Sequence, residues 1–174
     1  MPKKILYICG SPRQGNCEYI LTQIKKELDG ELVLLRELNL KPCTGCLNCH
    51  NTPRCSIKND GGNALLEKII NADLVVAGIP NYFDNVPGIF KVFNDRMHPL
   101  GGKTWQGKDV IFIFVGSGKP EATKYALLTA LNGAIRYYRI NVLDTLVTKA
   151  LNYNDSFGNY RFIDEAVASI TKHL

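Results

Sequence analysis

Short apolar runs recur along this chain, each closed by glycine or proline, and each is followed by a stretch whose apolar residues fall at helical spacing. Ile5-Leu6-Tyr7-Ile8-Cys9 is the first run, and Gly10-Ser11-Pro12 ends it. A run with no polar alternation is what a strand buried on both faces requires, and such strands belong to parallel sheets. Residues 19–28 follow, with Ile20, Leu21, Ile24 and Leu28 on one helical face. The pattern then repeats. Strands are expected at 32–38, 74–79, 109–115 and 140–147. Helices are expected at 64–71, from Pro87, from Pro120, and at 164–174. Strict alternation of this kind implies an α/β sheet wound on both faces.

Five strands fit the flavodoxin-like order 2-1-3-4-5, in a single domain spanning residues 1–174. The switch point of that order lies between strands 1 and 3. Ligands bind outside the carboxyl ends of the strands there, so the loops after strands 1, 3 and 4 are the candidate site. At 174 residues, with 45% hydrophobic and 21% charged residues, the chain can bury a full core. No apolar run approaches the roughly 18 residues of a membrane span. The basic start, Met1-Pro2-Lys3-Lys4, precedes an apolar stretch too short for a signal-peptide core, so a cytoplasmic location is expected. The net charge of +5 is spread without a Lys/Arg block, which argues against nucleic acid as a partner. A mildly basic surface suits an anionic cofactor or an acidic electron partner.

Four of the six cysteines fall within thirteen residues: Cys43, Cys46, Cys49 and Cys55, read C-x2-C-x2-C-x5-C. They form a cysteine-rich loop at 42–60, after strand 2. In a reducing compartment such a cluster marks a metal or redox site more often than a disulfide framework. Three readings stay open. Consecutive spacing lets one loop wrap a cuboidal iron–sulfur cluster. Zinc more often uses two C-x2-C knuckles across a longer gap. The third reading is a set of unligated redox thiols. His50 lies inside the loop and is read as solvent-facing; nothing is assigned to His98 or His173.

The loop after strand 1, Gly10-Ser11-Pro12-Arg13-Gln14-Gly15-Asn16-Cys17, lacks both the G-x-G-x-x-G spacing and the Walker Lys-Ser/Thr. It does offer a hydroxyl, an arginine, and free N–H groups at a helix N-terminus, which suit a single phosphate. Alternatively it is a plain turn, with Asn16 capping the helix. After strand 3, Pro80-Asn81-Tyr82-Phe83-Asp84-Asn85 sets two aromatics between stiff ends, as a flat ring would need. After strand 4, Gly116-Ser117-Gly118 lets backbone approach closely, or simply turns.

These stretches carry a resemblance. Gly-Ser-Pro-Arg-x-Gly-Asn resembles the FMN-phosphate loop of the NAD(P)H-dependent FMN reductases, within the flavodoxin-like superfold. Pro80 to Phe83 resembles that family's isoalloxazine segment, and Phe90 to Arg96 its Leu-Lys-x-Phe-x-Asp-Arg helix. The cysteine motif resembles that of the iron–sulfur flavoproteins, an offshoot of the family whose four thiolates hold a 4Fe–4S cluster. The resemblance implies an FMN-dependent oxidoreductase that uses NAD(P)H. Its cofactor residues would be Ser11, Arg13, Gln14, Gly15, Asn16, Cys17, Pro80, Asn81, Tyr82, Phe83, Asp84, Asn85, Gly116, Ser117 and Gly118. Its cluster ligands would be Cys43, Cys46, Cys49 and Cys55. No catalytic side chain is expected, because the cofactor carries the chemistry. Asp95 and Arg96 are expected to be structural.

The resemblance also implies a small-molecule or ferredoxin-like electron partner and a homodimer or homotetramer. The alternatives are a non-enzymatic flavodoxin-like electron carrier, or an FMN or quinone reductase whose cysteine loop is empty or holds zinc. One departure stands out. Cys17 occupies a position where the family usually has Ser or Thr, and a helix N-terminus can lower a thiol pKa.

Overall fold

The computed structural model describes residues 2–99 and 105–174. Five parallel strands form one sheet in the order β2-β1-β3-β4-β5. They are β1 (Ile5–Cys9), β2 (Glu31–Leu34), β3 (Leu74–Pro80), β4 (Asp109–Gly116) and β5 (Asn141–Lys149). The helices are α1 (Asn16–Glu27), α2 (Gly62–Asn71), α3 (Gly88–Asn94), α4 (Pro120–Tyr137) and α5 (Tyr160–Thr171). The expected doubly wound architecture and strand order are both present.

The continuous apolar runs are what two-sided burial demands. In β1, Leu6 and Ile8 face one side, with α2, α3 and α4. Ile5, Tyr7 and Cys9 face the other, with α1 and α5. In β4 the same alternation sends Phe112 and Phe114 one way and Ile111 and Ile113 the other. Each fully buried Leu or Ile contributes roughly 1.5–3 kcal/mol, so this central layer dominates stability. Trp105 packs into the α3/α4 core, whereas Tyr137 stays exposed.

Two boundaries lie four residues from expectation. Strand 2 was expected to run through Leu38, but ladder pairing with β1 stops at Leu34, and Leu35–Glu37 curl into a 3-10 turn. Leu35 turns inward there and is fully buried, so its apolar character reflects packing rather than strand. The last helix starts at Tyr160, four residues before its expected start, because Asn159 caps it by accepting from the Phe162 N–H at 3.3 Å.

Candidate functional site

Parallel strands put all their carboxyl ends on one edge, so the loops after β1, β3, β4 and β5 meet there. The loop after β1 is tightly wound. The Ser11 hydroxyl donates to the Arg13 carbonyl at 2.7 Å and accepts from the Arg13 N–H at 3.3 Å. Gly15, at φ +149°, turns the chain into α1. Asn16 does not cap that helix, because it is itself the first helical residue.

The loop after β3 is a tight hairpin. Tyr82 N–H donates to the Asn85 carbonyl at 2.8 Å, and Asn85 N–H returns a bond at 3.1 Å. Between them Phe83 and Asp84 both hold positive φ, +54° and +56°, which is the geometry of a type I′ turn. That turn ordinarily takes Asn-Gly; here it thrusts a fully exposed Phe83 off the sheet edge. Asn81 anchors the hairpin base, its N–H donating to the Val115 carbonyl at 2.7 Å. Its side-chain amide donates to Asp84 at 3.2 Å, while its Oδ1 is buried without a partner among the described residues. A buried acceptor left unpaired is costly, and a ligand N–H or hydroxyl would relieve it.

One cleft runs between these loops. It is lined by Ser11, Arg13, Asn16, Cys17, Pro80, Asn81, Tyr82 and Ser117, eight of the fifteen residues expected to hold a cofactor. Gln14, Gly15, Phe83, Asp84, Asn85, Gly116 and Gly118 shape the same loops without lining it. Gly116 has a packing role instead: a Cβ there would sit 2.7 Å from the Thr123 hydroxyl. Cys17 is not an activated thiol. Burial pushes its pKa well up, and its neighbour Cys9 adds to the rise.

The cleft has a wall that the sequence reading did not include. Ala150 and Leu151, just past β5, line it alongside the expected loops. The chain beyond is strapped to the loop after β1. Asn16 Nδ2 donates to the Asn152 carbonyl at 2.7 Å, and Asn16 Oδ1 accepts from the Ser156 N–H at 3.0 Å. The Arg13 guanidinium stands over the Tyr153 ring at 5.5 Å. Asp155 braces the strap by accepting from the N–H groups of Leu151 and Asn152, both at 2.8 Å. The Asn-Asp-Gly composition of 152–159 marks a loop, but nothing in it marks a wall of this cleft.

The four clustered cysteines also converge. Cys43, Cys46, Cys49 and Cys55 line one small cavity together with Asp95 and Arg96. Among the described residues no three His, Cys, Asp or Glu side chains gather closely enough to hold a metal ion. The Gly45 N–H donates to Cys43 Sγ at 3.4 Å, and Gly45 takes a left-handed φ of +65°. Hydrogen bonding at Cys46, first with the Asn48 backbone and then with the Ser56 hydroxyl 3.6 Å away, lowers that thiol's pKa. Burial raises that of Cys49, and the nearby cysteines add to the rise.

The loop is held from behind. Arg96 pairs with Asp60, and their side chains are 3% and 0% exposed. Arg96 also donates to the Lys41 carbonyl at 3.1 Å, so it grips both ends of the loop. Asn63 of α2 adds a second grip, bonded to Cys55 N–H at 2.8 Å and to the Cys55 carbonyl at 3.1 Å. The structural role expected of Arg96 is therefore present, but it serves the cysteine loop. Asp95 makes an exposed pair with Lys91. The His50 ring packs on His98 with centroids 4.4 Å apart, and burial lowers the His98 pKa, with His50 adding to it. No helix among the described residues is long and apolar enough to cross a membrane.

Comparison with known proteins shows the family. The family model for NADPH-dependent FMN reductase matches residues 3–149. An iron-sulfur flavoprotein of Clostridioides difficile (strain 630) is 36% identical over 104 residues, 55% of this chain and 46% of that protein. An iron-sulfur flavoprotein of Archaeoglobus fulgidus is 35% identical over 127 residues, 68% of this chain and 57% of that one. The chain thus spans about half the length of the curated relatives it matches. The solved structure of the Trp repressor binding protein from Bacillus subtilis superposes with a TM-score of 0.71, covering 96% of this chain and 97% of that one. At 15% identity that likeness concerns the fold alone.

Proposed function

This chain belongs to the NADPH-dependent FMN reductase family, and from that premise we propose that it is an FMN-dependent oxidoreductase drawing electrons from NAD(P)H. The observation that carries the reading is the cleft at the β1/β3 switch point, with the unpartnered Asn81 Oδ1 at its wall. The residues present fit FMN. Ser11, Arg13 and the N–H groups opening α1 would take the phosphate, where the helix dipole favours an anion. Asn81, Tyr82 and Ser117 would border the ring, with Asn81 Oδ1 accepting from its polar edge. Bound FMN supplies the redox chemistry, accepting a hydride and passing electrons on singly or in pairs. Pro80, Asn81, Tyr82 and Ser117 would hold the ring at the sheet edge, where a donor could reach it.

The cysteine loop is proposed to hold a 4Fe–4S cluster. All four thiols of the loop line one cavity. The irons of a cuboidal cluster occupy separate corners, so its four thiolates are spread around such a cavity. The N–H to Cys43 and the hydrogen bonds at Cys46 are of the kind that support cluster sulfurs. Cys43, Cys46, Cys49 and Cys55 would be the ligands. A single flavodoxin-like domain, a cytoplasmic home and assembly as a homodimer or homotetramer complete the proposal.

Anaerobic purification tests both parts. The protein should take up FMN stoichiometrically and oxidise NADH or NADPH when given free FMN or a quinone. Iron and acid-labile sulfide should be present together. Turnover with neither nucleotide, alongside rapid reduction by a ferredoxin, would assign a carrier role instead. Iron absent under these conditions would remove the cluster.

A further inference from the structure

FMN ends in a phosphate monoester, whereas FAD continues through a second phosphate into adenosine. A protein that accepts both must leave the far side of the first phosphate open. Here the strap after β5 is tied to the loop expected to take that phosphate, through residues expected to meet it. Asn16 uses both ends of its amide on strap backbone, at 2.7 and 3.0 Å. The Tyr153 ring covers the Arg13 guanidinium. The Tyr153 carbonyl packs so near the loop that a Cβ on Gly15 would stand 3.1 Å from it. Asp155 braces the strap, accepting from the N–H groups of Leu151 and Asn152, both at 2.8 Å.

We infer that the segment after β5 is a flavin-specificity element: it seals the phosphate end of the cleft, so that the site takes the monophosphate flavin and rejects the dinucleotide. The inference rests on the FMN reading above and adds a role for residues 152–156. Asn16 is then a positioning residue that holds the seal. Admitting FAD requires both Asn16 hydrogen bonds to open, together with the Arg13–Tyr153 contact.

The experiment is a titration of the flavin-free protein with riboflavin, FMN and FAD, read by quenching of flavin fluorescence. The unaltered protein should bind FMN at least about 100-fold more tightly than FAD. Asn16→Ala should narrow that ratio by about thirtyfold, the equivalent of two ordinary hydrogen bonds. Asp155→Ala, which loosens the strap without touching the cleft, should narrow it while keeping the preference for FMN over riboflavin. It also serves if Asn16→Ala does not fold. Equal affinity of the unaltered protein for FMN and FAD overturns the inference. So does an FMN-to-FAD ratio unchanged in the variants while FMN still outbinds riboflavin. Failure of FMN to outbind riboflavin in the unaltered protein instead overturns the phosphate reading itself, and the inference with it.

Discussion

Arg96, just past the end of α3, and Asp60, at the close of the cysteine loop, meet as an ion pair buried almost completely from solvent. The pair has its remaining hydrogen bonds filled on the Asp60 side, where the N–H groups of Lys41 and Gly62 donate at 2.8 and 3.0 Å. Removing one partner leaves the other charge buried and alone. Asp60→Ala or Arg96→Ala should therefore cost about 3–5 kcal/mol in urea unfolding. Limited proteolysis should then cut first within 42–60. Cleavage elsewhere, with the loop still protected, would show that the pair is not what holds it.

The same pair sets a pH dependence. Burial alone would raise the Asp60 carboxyl, but the hydrogen bonds from Arg96, Lys41 and Gly62 outweigh it and hold the pKa below the ordinary 3.8. The unfolded state then binds the proton more readily than the folded one. Stability from this group is fully present above pH 3.8 and is lost as pH falls through the lower folded value. Unfolding free energy should decline on acidification through that window, and Asp60→Asn should flatten the decline. An equally steep decline in the variant would assign the acid sensitivity to other carboxylates.

Gly62 shows how close packing can reverse a helix-propensity expectation. Alanine is favoured over glycine by about 1 kcal/mol inside a helix. A Cβ at Gly62, however, would stand 2.5 Å from the Arg96 Nη2. The guanidinium cannot swing aside without opening its pair with Asp60. Gly62→Ala should therefore destabilise the protein by about 1–3 kcal/mol, the usual cost of overpacking. A gain in melting temperature would show that Arg96 can relax.

The hairpin at 82–85 is expected to trade stability for function. Phe83 is a bulky residue at positive φ, a conformation that ordinarily favours Asn or Gly. Phe83→Asn should stabilise the flavin-free protein by about 0.5–1 kcal/mol and slow the flavin-dependent reaction. Thermal melts and NAD(P)H turnover read the two effects separately. Stabilisation without loss of rate would leave the exposed ring with no role at the site.

Asn81 offers a cleaner reading of the ring end. Among the described residues its Oδ1 has no partner and its Nδ2 donates only to the exposed Asp84, so the flavin-free state loses about one exposed hydrogen bond when the side chain is cut back to alanine. Flavin binding should weaken by about tenfold, the value of one hydrogen bond to a buried acceptor. A flavin affinity unchanged in Asn81→Ala would place the ring away from this wall.

The architecture was legible because buried parallel strands leave unbroken apolar runs. Ile5 to Cys9 and Asp109 to Val115 need no tertiary information to be read as strands. The candidate site was legible where a loop carries its own chemistry: Ser11 and Arg13 line the cleft, and the four cysteines line one cavity. The strap after β5 was not legible because its ties are long-range. Asn16 and Asn152 lie 136 residues apart, and their bond uses a backbone carbonyl, which no side-chain pattern marks. The grip of Arg96 on Asp60 was hidden for the same reason. Leu35 misled because an inward-facing turn and a strand both call for an apolar residue.

α3 begins directly after the hairpin that borders the proposed flavin cleft, and it leads into the arginine that grips the cysteine loop. Seven residues of helix rise about 10 Å. The helix is thus a spacer of set length between two candidate electron sites. A residue inserted into it would turn Arg96 by about 100° around the axis and break its grip, altering both the separation and the relative orientation of the two sites at once.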